Sequence, residues 1–173
     1  MEHIHAKTIS YDSSKTRSAS SVEYIVIHYT GNSNDTAKAN GNYFKNTNTR
    51  TAGAHYFVDK SGEIVCSVDP KYTAWSVGGS KYDNCTKTGG GKFYKKCTNA
   101  NSISIELCDM VTYSPTDAMI ASVKRLIKVI QNTYPNATKI IRHFDVTGKS
   151  CPASMCTGGY KDANWLAFKK KIV

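Results

Sequence analysis

The chain has 173 residues, ordinary for one domain and enough to bury a core. Its 23 lysines and arginines against 13 acidic residues leave a net charge of +10, which calls for an anionic partner or serves as a repulsive solubility term. No apolar run approaches the ~20 residues that cross a bilayer, and residues 1–7 lack the apolar core of a secretory signal, so neither membrane insertion nor export by a leader of its own is expected.

Residues 1–20 are polar, with Ile4 and Ile9 able to dock, and read as a leader packing on the domain; His3 and His5 read as surface residues. A strand follows over about 22–29, in which Val22-Glu-Tyr-Ile-Val-Ile-His28 is mostly apolar and ends on a histidine. A capped helix is expected over 35–45, burying Ala37, Tyr43 and Phe44. Short strands over 54–59 and 63–68 flank Asp59-Lys-Ser-Gly62, a hairpin signal with glycine placed for positive φ.

The irregular segment 78–101 carries Gly89-Gly-Gly-Lys92 together with Lys81, Lys87, Lys95 and Lys96. It lacks the spacing of a phosphate-binding loop and reads either as a mobile basic loop at a cleft rim or as a solvated insertion. Ser102 to Cys108 alternates, with Ile103, Ile105 and Leu107 on one face and Ser104, Glu106 and Cys108 on the other. A long helix is expected with Ser114 as N-cap, Pro115 as its first residue and an end near Tyr134, since Met119, Val123, Leu126 and Ile130 form one apolar stripe. After the turn at Pro135-Asn136, Ile140 and Ile141 mark a short buried strand with His143 at its exit. A last helix over 161–172 would dock through Trp165, Leu166 and Phe168, leaving Lys169-Lys-Lys171 solvated or facing an anionic surface.

The chemistry concentrates at two strand ends. Seven residues separate His143 from Cys151, room for the loop to turn back and bring an imidazole and a thiolate to one point. If the strands ending at His28 and His143 are parallel neighbours, His28, His143 and Cys151 converge where open α/β sheets gather ligands. Zinc takes such N and S donors, and three protein ligands leave a position open, as in catalytic zinc sites. Cys156 could add a fourth ligand, which would make the site structural. Cys66 and Cys108 read as small buried hydrophobes, and Cys85 and Cys97 flank the basic loop where they could pair in an oxidising exterior. Glu106, in the middle of a central strand, is costly unless it is paired or used, and beside a metal it would be a general base. Lys149, two residues before Cys151, could stabilise negative charge developing on a substrate.

Four segments, Ile25-Val-Ile-His-Tyr-Thr30, Ala54-His-Tyr-Phe-Val58, Asn101-Ser-Ile-Ser-Ile-Glu-Leu-Cys108 and Arg142-His-Phe-Asp-Val-Thr-Gly-Lys-Ser-Cys-Pro152, resemble in order the zinc-dependent N-acetylmuramoyl-L-alanine amidases of type 2. That family includes phage endolysins and bacterial autolysins and is similar in fold to peptidoglycan-recognition proteins. The resemblance implies a single α/β domain over 1–173, with a mixed central β-sheet flanked by helices. It implies one Zn2+ ion on His28, His143 and Cys151, with Glu106 as catalytic acid/base. The implied substrate is the amide between N-acetylmuramic acid and L-alanine in bacterial peptidoglycan. His55 and Trp75 fall where the family contacts substrate, although a hydrogen-bonded buried histidine is the plainer reading of His55. Two departures stand out: Ala54 replaces a tyrosine that assists catalysis in several relatives, and Ser76 replaces a histidine that follows the tryptophan in many.

The implied setting is a monomer made in a host cytoplasm and acting on the cell wall after release, concentrated there by anionic wall polymers. No nucleic acid is expected, because no recognition motif accompanies the charge. The rival readings are a non-catalytic peptidoglycan-binding module and a basic domain with a structural zinc.

Overall fold

The structure is a computed structural model describing residues 1–173. In chain order the strands are β1 (Glu2–His3), β2 (Tyr11–Asp12), β3 (Tyr24–Tyr29), β4 (Tyr56–Val58), β5 (Ile64–Cys66), β6 (Thr73–Ala74), β7 (Ser102–Leu107) and β8 (Lys139–Arg142). The helices are α1 (Ala37–Asn46), α2 (Cys85–Thr88), α3 (Asp117–Thr133), α4 (His143–Thr147) and α5 (Ala163–Ile172).

One six-stranded sheet runs β1-β5-β4-β7-β3-β8. Every pair in it is parallel except the β4–β5 hairpin, so the sheet is mixed, as its apolar runs and single hairpin signal imply. Strands buried on both faces need apolar side chains in both directions. On one face Ile25, Ile27, Ile103, Ile105 and Leu107 pack against Leu126 and Ile130 of α3 and Trp165 and Phe168 of α5. On the other, Phe57, Val65 and Cys108 pack with Ala37 of α1, while Tyr24 and Val26 pack with Val77, Cys97 and Ile141. The leader adds strand β1 to the edge of the sheet at β5 and forms a small second sheet through β2 and β6.

Several expectations shift locally. Thr116, not Ser114, caps α3: its hydroxyl accepts the Met119 N–H at 3.1 Å, while Ser114 is drawn off by Lys60 Nζ at 2.9 Å, leaving Pro115 outside the helix. Asp162 caps the last helix by accepting the Trp165 N–H at 3.0 Å, and Leu166, expected to dock, is 52% exposed. In the leader Ile4 is buried but Ile9 is 39% exposed, and Ala6 and Ser10 take its place inside. All six cysteines are free and buried. Cys97 lies within an apolar cluster and Cys85 Sγ donates to the Thr147 carbonyl at 3.3 Å, so the Cys85–Cys97 pair is not formed.

Hydrogen bonds hold the basic segment 78–101 in place. Tyr82 N donates to Thr147 O at 2.8 Å, Gly91 N to Phe144 O at 3.0 Å and Phe93 N to Asp145 O at 2.8 Å, stitching it to α4. Gly148 ends α4 at φ +84, and a Cβ there would lie 2.2 Å from Cys85 Sγ, so both conformation and space demand glycine.

Leu126 is buried between the sheet and α5, whereas Leu166 faces outward. Leu126→Ala is expected to lower the unfolding free energy by about 2–5 kcal/mol, and Leu166→Ala to change it by under about 0.5 kcal/mol. Urea unfolding of both variants checks this; equal losses would contradict the packing described.

Candidate active site

The register of three parallel strands assembles the site. Pairing of β3 with β7 sets His28 opposite Glu106, and pairing with β8 sets Ile27 opposite Arg142, so His143 follows directly beside His28. The two imidazole rings are 4.7 Å apart between centroids. The loop after α4 returns as its length suggests, and the Phe144 N–H donates to the Cys151 carbonyl at 3.0 Å. This brings Cys151 Sγ to 3.8 Å from His28 Nδ1. One ligand atom from each of His28, His143 and Cys151 lies within 4.8 Å of the others, and all three residues are buried. Cys156 stays outside this group, its thiol turned to the Pro152 carbonyl at 2.8 Å. The group that could hold a metal ion therefore consists of three protein donors.

Arg142 anchors the loop that carries two of these donors. Its side chain is fully buried, bonded to Asp145 through Nε (3.1 Å) and a terminal nitrogen (2.7 Å). It also donates to the carbonyls of Met155 and Gly159, the latter at 3.1 Å, on the far side of Cys151. The guanidinium carbon sits 4.7 Å from the Phe144 ring centre and 5.2 Å from that of Trp165. Asp145 in turn accepts the Arg142 backbone N–H at 2.8 Å, capping α4. A charge this deep is tolerable only because its donors are used by fixed partners.

Several polar atoms in the site have no partner within the protein. His28 Nε2, His143 Nε2 and Glu106 Oε2 are buried without a hydrogen bond, a costly state that a bound cation and its ligands would relieve. Burial first, and then the neighbouring His143 and Lys149, holds His28 well below the usual histidine range. Burial and Lys149 push His143 down to about 4. Burial pushes the Cys151 thiol well above its ordinary value, with Glu106 adding to the shift. Neutral imidazoles are ready to ligate, and a thiol that gives up its proton only to a strong cation completes a donor set suited to zinc.

A cleft of about 650 Å3 opens over these groups. Glu106, Lys149 and Trp75 line it, together with Ser76, whose buried Oγ also lacks a partner. Glu106 Oε1 lies 3.9 Å from His28 Nδ1, and its side chain is 19% exposed towards the cleft. Burial pushes Glu106 up to about 8; Lys149 opposes the rise and Asp35 adds to it.

His55 is not brought to the cleft. It is fully buried, with Nδ1 accepting the Ser104 N–H at 3.0 Å and Nε2 3.1 Å from the Tyr72 carbonyl, beside Arg17 at 3.0 Å. The substrate contact expected of His55 is therefore replaced by a structural role between β4 and β7. Ala54, in the position of the missing tyrosine, is buried as well. Sequence reasoning did not single out the wall formed by Asp35, Asn40, Tyr43 and Arg50. Tyr43 was expected inside and is instead 37% exposed, facing the cleft. The signal was present in α1, whose fully buried positions are the small residues Ala37 and Gly41, with Phe44 packed half-buried against Phe57.

The profile of the family described as N-acetylmuramoyl-L-alanine amidase matches residues 18–154, most of the chain, including every strand and loop that builds the site. The chain belongs to this amidase family. Among its curated relatives are a probable N-acetylmuramoyl-L-alanine amidase of Bacillus licheniformis, 30% identical over 158 residues, and the amidase CwlL of the same species, 31% identical over 162. Each alignment covers 87% of this chain but 41% of the relative, so the chain spans about two fifths of their length. Among solved structures the fold is similar to that of PlyL, with a TM-score of 0.71 at 20% identity covering 99% of this chain and 96% of that one. It is also similar to that of a mutant endolysin from Bacillus subtilis, with a TM-score of 0.68 at 23% identity covering 99% and 97%.

Glu106 keeps its proton to about pH 8 in the folded, metal-free chain, against 4.5 for the free side chain. Between those values the folded state binds more protons than the unfolded one, so this group lowers metal-free stability as pH rises from about 4.5 to about 8. Glu106→Gln removes that slope. In urea melts of metal-free protein the variant is expected to gain stability on wild type from pH 5 to pH 8; parallel curves would contradict the burial-driven shift.

Proposed function

We propose that this amidase-family chain is a zinc-dependent hydrolase of the amide joining N-acetylmuramic acid to L-alanine in bacterial peptidoglycan. The observation that carries the reading is the parallel register that sets Glu106 beside His28, His143 and Cys151 at the floor of one open cleft. The names of the Bacillus relatives, all N-acetylmuramoyl-L-alanine amidases, support the choice of bond.

His28, His143 and Cys151 would hold the zinc, which when bound supplies a Lewis acid for the scissile carbonyl and lowers the pKa of water at the open position. Glu106 takes a proton from the attacking water as the new C–O bond forms. Lys149, at the rim of the same cleft, offsets the negative charge on the former carbonyl oxygen. Glu106 then returns the proton to the alanine nitrogen as the C–N bond breaks, leaving a muramic carboxylate and a free peptide amine. Trp75 and Tyr43 wall the cleft and orient the substrate against these groups.

The net charge of +10 supports concentration of the protein on the anionic polymers of Gram-positive walls. No helix is long and apolar enough to cross a membrane.

Incubation of the zinc-loaded protein with purified Gram-positive peptidoglycan is expected to release L-alanine amino termini without new reducing sugar ends, and a chelator to stop the release. Glu106→Ala is expected to bind one zinc per chain while kcat falls by about 10²–10⁴-fold. Wall retention without any cleavage would favour the non-catalytic binding module, and an active Glu106→Ala would remove the glutamate from the mechanism.

A further inference from the structure

A second cavity, of about 500 Å3, is bounded by residues 78–83 on one side and by His143, Thr147 and Lys149 on the other. It shares only His143 and Lys149 with the main cleft, so two grooves of different chemistry meet at the metal-ligand site. An amide that joins a glycan to a peptide has two arms leaving the reacting carbon, and a site that holds both needs a path for each.

The walls of the grooves differ. The main cleft carries Tyr43, Phe44, Phe57 and Trp75 with the charged Asp35 and Arg50, a mixture suited to a peptide with methyl groups and ionised ends. The second groove has Tyr82, 49% exposed, as its one large aromatic residue, and is otherwise glycine, the hydroxyls of Ser80 and Thr147, the charges of Lys81 and Asp83, and the His143 and Lys149 it shares with the main cleft. The backbone N–H groups of the exposed Gly78, Gly79, Ser80 and Lys81, which line it, bond to nothing within the protein, and Tyr82 N is the first in the run to find an acceptor, at Thr147 O. The groove is nevertheless a built wall, because that bond and the contact of Cys85 Sγ with the same carbonyl fix the segment to α4.

We propose that this second groove binds the glycan arm of the substrate, the N-acetylated amino sugars flanking the muramoyl residue. The free N–H groups donate to acetamido and hydroxyl oxygens, and the Tyr82 ring offers a flat apolar face with a polar tip to a pyranose. Lys81 and Lys149 against the single Asp83 leave the groove mildly basic, which suits a glycan strand whose peptide-free lactyl groups are carboxylates. This proposal rests on the amidase reading for its choice of glycan, while the groove itself does not depend on catalysis.

Titration of the zinc-loaded protein with peptide-free strands of alternating N-acetylglucosamine and N-acetylmuramic acid tests it by calorimetry. Wild type is expected to bind. Tyr82→Ala, which removes the platform, and Ser80→Trp, which fills the groove from an exposed position, are each expected to weaken binding by about tenfold at unchanged melting temperature. In parallel, the ratio of kcat/KM for a tetrasaccharide-peptide to that for an N-acetylmuramoyl-peptide is expected to fall about tenfold in both variants. No binding of the strand by wild type, equal binding by all three proteins, or binding of inorganic polyphosphate in place of the glycan would overturn the proposal. Failure of the amidase reading would show separately, as wild type cutting neither substrate while the titration still decides what the groove holds.

Discussion

The buried guanidinium of Arg142 is the point at which fold and site are joined. It closes β8, the edge of the parallel sheet, and in the same residue reaches across to hold both sides of the loop that returns Cys151. Without a planar cation at that place, Asp145 would be left as a buried carboxylate and the carbonyls of Met155 and Gly159 would lose their donor, a cost of several kcal/mol borne by a short loop. The aromatic rings of Phe144 and Trp165 on the guanidinium link this clamp to α5 and so to the main core. Two of the three candidate ligands therefore inherit their positions from the hydrophobic packing of the domain, not from the loop alone.

The electrostatics of the site follow from the same burial. Strands that must be apolar on both faces carry His28, Glu106 and His143 at or near their carboxyl ends, where desolvation disfavours every charged form. A metal-free site is consequently neutral and under-bonded. A divalent cation held there would reverse that balance, favouring the thiolate of Cys151 and the carboxylate form of Glu106. The exposed Lys149 stands where the two grooves meet, and its charge acts on His28, His143 and Glu106.

Much of this was legible in the chain before its folding was known. A histidine at the end of an apolar strand occurs twice, and the parallel pairing of those strands brings the two together. The strict alternation of Ser102 to Cys108 exposed Glu106 as a carboxylate on a buried face. What escaped depends on partners distant in sequence. His55 is satisfied by Ser104, Tyr72 and Arg17, and nothing local to residue 55 announces them. Ser114 has the chemistry of a cap but loses that role to Thr116 because Lys60 reaches it from the hairpin. Arg142 ends a strand, where a cation ordinarily marks the return to solvent; its burial between two rings is visible only once α5 is in place. Tyr43 and Leu166 were assigned inward as large apolar residues, yet Ala37, Gly41 and Phe44 fill the inward side of α1, and Trp165 and Phe168 fill that of α5.

The central claim is that His28, His143 and Cys151, and no other protein group, hold the metal. X-ray absorption at the zinc edge of the loaded protein tests it most directly. The account predicts a first shell of one sulfur near 2.3 Å and two imidazole nitrogens near 2.0–2.1 Å, completed by a light atom that substrate or a small anion can exchange. Two sulfurs, which would bring Cys156 into a closed structural site, or none at all, would contradict it.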